Sequence, residues 1–268
     1  MTAYRVGITG CLGRMGAMLA RAVTESPDCE LAGGTVRNEH PKVGEDLGAV
    51  LGLGHLDAPI TDDPLALFAD ADAVIDFTTP ELAVKHAELA AQSKVVLVLG
   101  TTGLDEPARE MIRRAAIHTP VVEAPNMSLG VNLLLTLVTQ VAAALDPDFD
   151  IEIVEMHHRH KVDAPSGTAL ALGRAAAEGR GVSLDEVADR GRDGVTGARK
   201  EGDIGFAVLR GGDIAGEHTV VFAGAGERIE LTHKATDRAI FARGAVRAAV
   251  WARTEHPGHY SMKDVLGL

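Results

Sequence analysis

Tyr4-Arg-Val-Gly-Ile-Thr-Gly10-Cys-Leu-Gly-Arg-Met-Gly16 is the stretch that decides the fold. An apolar strand, Tyr4 to Thr9, runs into a glycine loop, and a helical pattern opens from it, Met15 to Thr24. Gly10 permits a tight turn, Gly13 lets the backbone approach a pyrophosphate, and Gly16 allows close helix–strand packing. Glycines at this spacing also occur in ordinary turns. The position directly behind a first strand is what gives the loop its weight as a dinucleotide site.

From the loop onward, strand and helix patterns alternate. Cys29 to Thr35, Ala73 to Phe77, Val95 to Leu99 and Pro120 to Glu123 read as strands, with helices over Glu81 to Gln92 and Pro107 to Ile117. Such alternation implies βαβ units and a doubly wound parallel sheet. The pattern changes after Ala124-Pro-Asn-Met-Ser128. A long apolar helix, Leu129 to Leu145, leads to a strand at Asp150 to Glu155, then to strand-like runs Gly205–Arg210, Glu217–Phe222 and Glu227–Thr232. Their short connections predict antiparallel hairpins. Arg180 to Gly202, rich in Gly, Arg and Asp, reads as a loop. Thr236 or Asp237 caps a final helix carrying Ile240, Phe241, Val246, Val250 and Trp251 at helical spacing. The expected fold class is α/β: a Rossmann-like doubly wound parallel sheet plus a smaller α+β domain.

Composition narrows the function classes. The chain has 268 residues, enough for two domains, and only 3% aromatics, so the core must be built from Ala, Val, Leu and Ile. A net charge of −12 argues against nucleic-acid binding, which relies on excess Lys and Arg. Cys11 and Cys29 are the sole cysteines and form no CxxC pair, which fits a reducing compartment. Met1-Thr-Ala runs straight into the first strand, leaving no room for a signal peptide, and no apolar run approaches membrane-spanning length. A cytoplasmic protein without membrane or nucleic-acid partners is expected.

Against this acidic background stands Glu155-Met-His-His-Arg-His-Lys-Val-Asp-Ala-Pro-Ser-Gly-Thr-Ala169. Five consecutive residues able to carry positive charge precede a Ser-Gly-Thr turn at a helix start, a pattern suited to an anionic ligand. Histidine and lysine add proton-transfer capacity. A zinc site is the weaker reading, because neighbours along an extended chain point to opposite faces and no HExxH or Cys–His set accompanies the run. A solvated charge run accounts for neither the turn nor the strand before it.

The signature E-x-H-H-x-x-K-x-D-x-P-S-G-T-A resembles the 4-hydroxy-tetrahydrodipicolinate reductase (dihydrodipicolinate reductase) family, and the likeness extends from Gly10–Gly16 to Gly244–Arg247. The resemblance implies NAD(P)H-dependent reduction of a small cyclic dicarboxylate, 4-hydroxy-tetrahydrodipicolinate, in diaminopimelate and lysine biosynthesis. It implies a discontinuous dinucleotide-binding domain, residues 1–128 and 238–268, around a substrate-binding and tetramerisation domain, residues 129–237. His157 would be the catalytic proton donor/acceptor with Lys161 assisting. His158, Gly167 and Thr168 would hold the substrate, with Ser166 shaping the turn and Arg238 near the cleft. Gly10, Cys11, Leu12, Gly13, Arg14 and Met15 would meet the pyrophosphate half of the cofactor. Gly100, Thr101, Thr102, Ala124, Pro125, Asn126 and Met127 would meet its nicotinamide half. No metal is implied, and the expected assembly is a homotetramer.

Many family members carry Glu where this chain has Val36. Val36 cannot accept a ribose hydroxyl, while Arg37 can pair with a 2′-phosphate, so NADPH is the expected cofactor, with NADH use left open. Two rivals remain at this point. A non-catalytic NAD(P) sensor would lack the His157/Lys161 pair, and a histidine-cluster metallohydrolase would lose activity on chelation.

Overall fold

The computed structural model describes residues 4–268; Met1 to Ala3, read above as leading straight into the first strand, lie outside the described residues. In chain order the elements are β1 (Tyr4–Thr9), α1 (Arg14–Glu25), β2 (Cys29–Thr35), α2 (Leu47–Val50), β3 (Ile60–Thr61) and α3 (Pro64–Asp70). Then come β4 (Ala73–Asp76), α4 (Pro80–Ser93), β5 (Val96–Leu99), α5 (Glu106–Ala115), β6 (Pro120–Glu123), α6 (Leu129–Ala144) and β7 (Asp150–His157). The remainder is α7 (Gly167–Arg180), α8 (Leu184–Val187), β8 (Ala188–Asp189), β9 (Ile204–Arg210), β10 (Gly216–Gly224), β11 (Glu227–Ala235), α9 (Ala239–Ala252), β12 (Gly258–Tyr260) and α10 (Met262–Leu266). These form two compact units, one from Met1–Leu129 with Ala239–Leu268, the other from Gly130–Arg238.

The first unit holds a seven-stranded sheet in the order β12-β6-β5-β4-β1-β2-β3, every pair parallel. This is the doubly wound sheet that the βαβ alternation implies. Strands β1, β4 and β5 are buried nearly throughout, as a sheet covered on both faces requires. One core lies under α1 and α9, where Leu19 and Val23 meet Ala245, Ala248 and Ala249. Another lies under α3 to α5 around Phe68, Leu97 and Ile112. Alanine-rich faces let the helices sit close, and glycine lets one sit closer still. A Cβ on Gly244 of α9 would fall 1.8 Å from the Met127 carbonyl oxygen. The sequence reading missed β3, β12, α2, α3 and α10, all of them short; Asp63 and Pro64, a capping acid followed by proline, were the readable signal for α3.

The second unit holds a five-stranded mixed sheet, order β11-β10-β7-β9-β8. The β10–β11 hairpin is antiparallel as expected. The expectation of a hairpin between β9 and β10 is corrected: β7 lies between them, parallel to β9 and antiparallel to β10. The segment Arg180 to Gly202 is likewise not all loop, since it contains α8 and β8, and β8 joins the sheet beside β9. The last long helix opens at Ala239, one residue later than a cap at Asp237 would give. Along β7 the side chains alternate strictly. Ile151, Ile153, Glu155 and His157 are buried, while Glu152, Val154 and Met156 are half-buried on the opposite face. Ile151 and Ile153 pack with Val220 and Phe222 of β10 and Leu172 and Ala176 of α7.

Gly244→Ala is expected to destabilise the first unit by about 1–3 kcal/mol, because the added methyl meets backbone that cannot swing away. Calorimetry should record a lower melting temperature; an unchanged one would show that α9 can shift without cost.

Candidate functional site

In the first unit, the glycine loop follows β1 and turns into α1. Gly10 has φ +63°, in the region that favours glycine, and its carbonyl accepts the Gly13 N–H at 2.9 Å. A Cβ on Gly16 would fall 2.3 Å from the Gly10 carbonyl oxygen. The helix is thus seated on the loop, with its first N–H groups turned to the C-terminal edge of the sheet. Beside it opens a cleft of about 810 Å³ lined by Gly10, Leu12, Gly13, Val36, Arg37 and Thr78, among others. The glycine cradle, the helix start and this cleft fit a dinucleotide, and the residues read from the sequence at the loop and after β2 converge there.

Not every expected side chain does. Cys11 is fully buried and packs into the core against Gly34, which pushes its thiol up to about 12, chiefly by desolvation. Met127 is also a core residue. These two can offer a ligand backbone atoms only. Arg14 is exposed and Met15 partly buried, both in the first turn of α1. Gly100, Thr101 and Thr102 follow β5, and Ala124, Pro125, Asn126 and Met127 follow β6, at the ends of neighbouring parallel strands. A Cβ on Gly100 would strike the Phe77 ring at 2.3 Å. Asp62, His86 and Phe77 are among the cleft residues that were missed. Asp62 follows β3 and accepts the Glu39 N–H at 3.1 Å. His86 of α4 is buried, its Nδ1 2.5 Å from Oδ2 of the fully buried Asp76, whose other oxygen accepts the Thr78 N–H and hydroxyl at 2.6 Å. Phe77 also lines the cleft.

In the second unit, the basic run begins where β7 ends. His157 is buried, with Nδ1 2.6 Å from Glu155 Oε2. Glu155, 1% exposed, also accepts two hydrogen bonds from the Arg210 guanidinium, both at 2.8 Å, and the Ser166 N–H at 2.9 Å. Burial pushes the Glu155 carboxyl up, but the bonds from Arg210, His157 and Ser166 outweigh it and hold the group below its ordinary value. Ser166 caps α7, its Oγ accepting the Ala169 N–H at 3.1 Å and lying 3.0 Å from His218 Nε2. The His218 ring stands edge-on to His157 at 5.0 Å, and desolvation, with the neighbouring His157, pushes its pKa down to about 4. Gly167 and Thr168 open α7, with clear space where a Gly167 side chain would be.

His158 Nε2 lies 3.1 Å from an Arg238 nitrogen, and its Nδ1 is buried without a hydrogen-bond partner among the described residues. Burial and then Arg238 lower its pKa. Lys161 Nζ pairs with Asp163 Oδ1 at 2.8 Å. The three histidines of the run therefore do not converge on one point: His157 turns to Glu155, His158 to Arg238, and His160 is exposed. Glu155, Arg210 and His218 were given no role from sequence. Only Glu155 left a readable signal, since residues two apart on a strand share a face.

Comparison with known proteins agrees with both halves. The profile described as "Dihydrodipicolinate reductase, N-terminus" matches residues 4–127, and "Dihydrodipicolinate reductase, C-terminus" matches residues 130–266. The chain belongs to the dihydrodipicolinate reductase family. It is 59% identical over 261 residues to a 4-hydroxy-tetrahydrodipicolinate reductase from Ruegeria pomeroyi, covering 97% of each chain. A protein of the same description from Parvibaculum lavamentivorans is 57% identical over 270 residues, with full coverage of both. Among solved structures, the dipicolinate-bound dihydrodipicolinate reductase from Paenisporosarcina sp. TG-14 superposes with a TM-score of 0.78 at 25% identity, covering 97% of this chain and 98% of that one. An amine dehydrogenase from Mycobacterium smegmatis, 12% identical with a TM-score of 0.62 and 98% and 95% coverage, shares the fold alone with this family member.

The buried His218 makes stability pH-dependent. Its folded pKa, about 4, lies below the ordinary 6.5, so between these values the unfolded chain takes up a proton that the folded one refuses. Stability is therefore lost as pH falls from about 6.5 towards 4. His158 and His233, also shifted down, act in the same direction, whereas Glu155 acts only as pH falls through the carboxylate range. The His218 share between pH 7 and pH 5 is about 2 kcal/mol. Unfolding free energies from urea titrations at the two pH values should differ less by that amount in His218→Gln; an equal difference would refute the assignment.

Proposed function

We propose that this chain reduces 4-hydroxy-tetrahydrodipicolinate to tetrahydrodipicolinate with a nicotinamide cofactor, in diaminopimelate and lysine biosynthesis. The observation that carries the reading is the buried Glu155–His157 couple beside the Ser166-capped start of α7, in a member of this family. It joins a proton-transfer group to a carboxylate-binding turn.

The first unit would hold the cofactor. Gly10 to Met15 meet the pyrophosphate, Val36 and Arg37 flank the adenosine ribose, and Gly100–Thr102 with Ala124–Met127 meet the nicotinamide half. When bound, the reduced nicotinamide supplies a hydride to C4 of the substrate ring. The remaining work falls to the second unit. His157 gives the proton that balances this delivery and Lys161 assists, while the ring hydroxyl leaves as water. Substrate, reduced cofactor and one proton thus yield product, water and oxidised cofactor. His158, Gly167 and Thr168 hold the substrate carboxylates through charge-assisted bonds, and Arg238 adds positive charge beside His158. Among the described residues, no helix is long and apolar enough to cross a membrane. Dependence on reduced nicotinamide puts the work of the chain in the cytoplasm.

NADPH is the preferred cofactor on this reading. Arg37 lines the cleft where β2 ends and carries the charge that would pair with a 2′-phosphate, and Val36 offers the ribose diol no acceptor. Asp62, on the same cleft, is turned to the Glu39 N–H. The chain assembles as a homotetramer of identical copies. Helices α6 to α8 all pack on one face of the second sheet, and the opposite face carries Val154, Met156, Leu209 and Val221, with Leu209 48% exposed. A second copy carries the same face, so an isologous sheet-to-sheet pairing would cover it.

The function is tested by supplying the product of dihydrodipicolinate synthase and following oxidation of NADPH and NADH side by side. Turnover with both is expected, with kcat/KM higher for NADPH by about one to two powers of ten. Arg37→Ala should selectively weaken NADPH and Val36→Glu should improve NADH; equal effects on both cofactors would remove Arg37 from phosphate recognition. In sedimentation, a mass four times that of the 28.0-kDa chain is expected, and a monomer would contradict the tetramer.

A further inference from the structure

We infer that Glu155 is a positioning residue for proton transfer: clamped by Arg210 and the Ser166 N–H, its carboxylate keeps a proton on His157 Nδ1 and leaves Nε2 as the donating atom. The inference rests on the proposal that His157 is the proton donor.

The clamp spans three elements. Arg210 reaches in from β9 with both terminal nitrogens at 2.8 Å, Ser166 from the start of α7 at 2.9 Å, and His157 from the same face of β7 at 2.6 Å. Arg210 is itself anchored, one nitrogen donating to the Asp163 carbonyl at 2.6 Å and the other to the Leu209 carbonyl at 2.7 Å. A carboxylate so placed has little freedom to turn. Ionised, it can only accept, so the hydrogen of its 2.6 Å contact with the ring lies on Nδ1. Neutral His157 is then bare at Nε2, and the imidazolium carries its transferable proton there.

Two further features agree. A Cβ on Gly216, opposite the end of β7, would lie 3.0 Å from His157 Nε2, so glycine keeps that nitrogen open. The charges around the ring also make the carboxylate necessary. Arg210 from β9, and His158 and Lys161 from the chain behind β7, oppose a positive His157 to the extent that each is charged. His218 from β10 is uncharged above about pH 4. Among the described residues, Glu155 is the single carboxylate within hydrogen-bond reach of His157. It accepts from Nδ1 in the neutral and in the protonated ring alike, so Nε2 is the atom left to exchange a proton.

The test measures kcat for the wild type, Glu155→Gln and Glu155→Asp, with pyridine-2,6-dicarboxylate binding followed in parallel. Loss of the carboxylate should lower kcat about 10- to 100-fold. Glu155→Asp should restore part of that loss, and dicarboxylate affinity should change little in either variant. An unchanged kcat in a folded Glu155→Gln overturns the inference. Nitrogen-15 NMR of wild-type protein gives a readout needing neither turnover nor a variant: neutral His157 should be the Nδ1–H tautomer, and the Nε2–H tautomer overturns the inference. Absence of turnover in the wild type would instead sink the proposed reaction while leaving the tautomer measurement decisive for the clamp.

Discussion

The second unit is organised around a carboxylate that cannot stand alone. Glu155 is removed from water at the end of β7, where an unpaired charge would cost several kcal/mol. Its partners come from the next strand, from the start of the following helix and from its own strand. Satisfying this one group therefore sets the β7–β9 pairing at its C-terminal end, the point at which α7 begins, and the orientation of His157. The α7 cap depends on the same place, because Ser166 binds Glu155 through its N–H and the first turn of the helix through its Oγ.

The alternation of β7 assigns the rest. A period of two puts Ile151 and Ile153 in the core and continues the same face into Glu155 and His157, so the hydrophobic packing that fixes the strand also aims the polar pair. Slipping the register by one residue would bury Glu152 and Met156 and turn the couple outward. In the first unit the equivalent precision comes from absent side chains. Gly16 on the loop, Gly100 on Phe77 and Gly244 on the Met127 carbonyl each allow a contact that a methyl group would block.

The parallel sheet was legible because its long strands are continuous apolar runs divided by helical patterns. Strands such as Ile60–Thr61 and Gly258–Tyr260 are too short for a period to register. In the second unit, connection length misled: Gly211 to Ala215 is short enough for a hairpin, yet β7 occupies the place between the two strands. Chain proximity does not reveal an inserted neighbour. At the site, the basic run was conspicuous in an acidic chain, and the capped helix start followed from Ser166-Gly-Thr. Arg210 and His218 were invisible because single residues on distant strands carry no pattern, and the packing of Cys11 and Met127 into the core follows from tertiary contacts.

The return of the chain in α9 has a bearing on how the protein is made. Ala242, Ala245, Val246, Ala248 and Ala249 belong to the same core as Val6, Ile8 and Leu19, and the Tyr4 hydroxyl donates to the Ala249 carbonyl at 3.1 Å. The first strands to leave the ribosome thus await a helix that emerges only after the entire second unit. Until then the nascent sheet presents an uncovered apolar surface, a liability for association with other chains. The intervening segment, which contributes its own core, can settle first. Vectorial synthesis would then favour completion from the middle of the chain outward, with the first unit closing last.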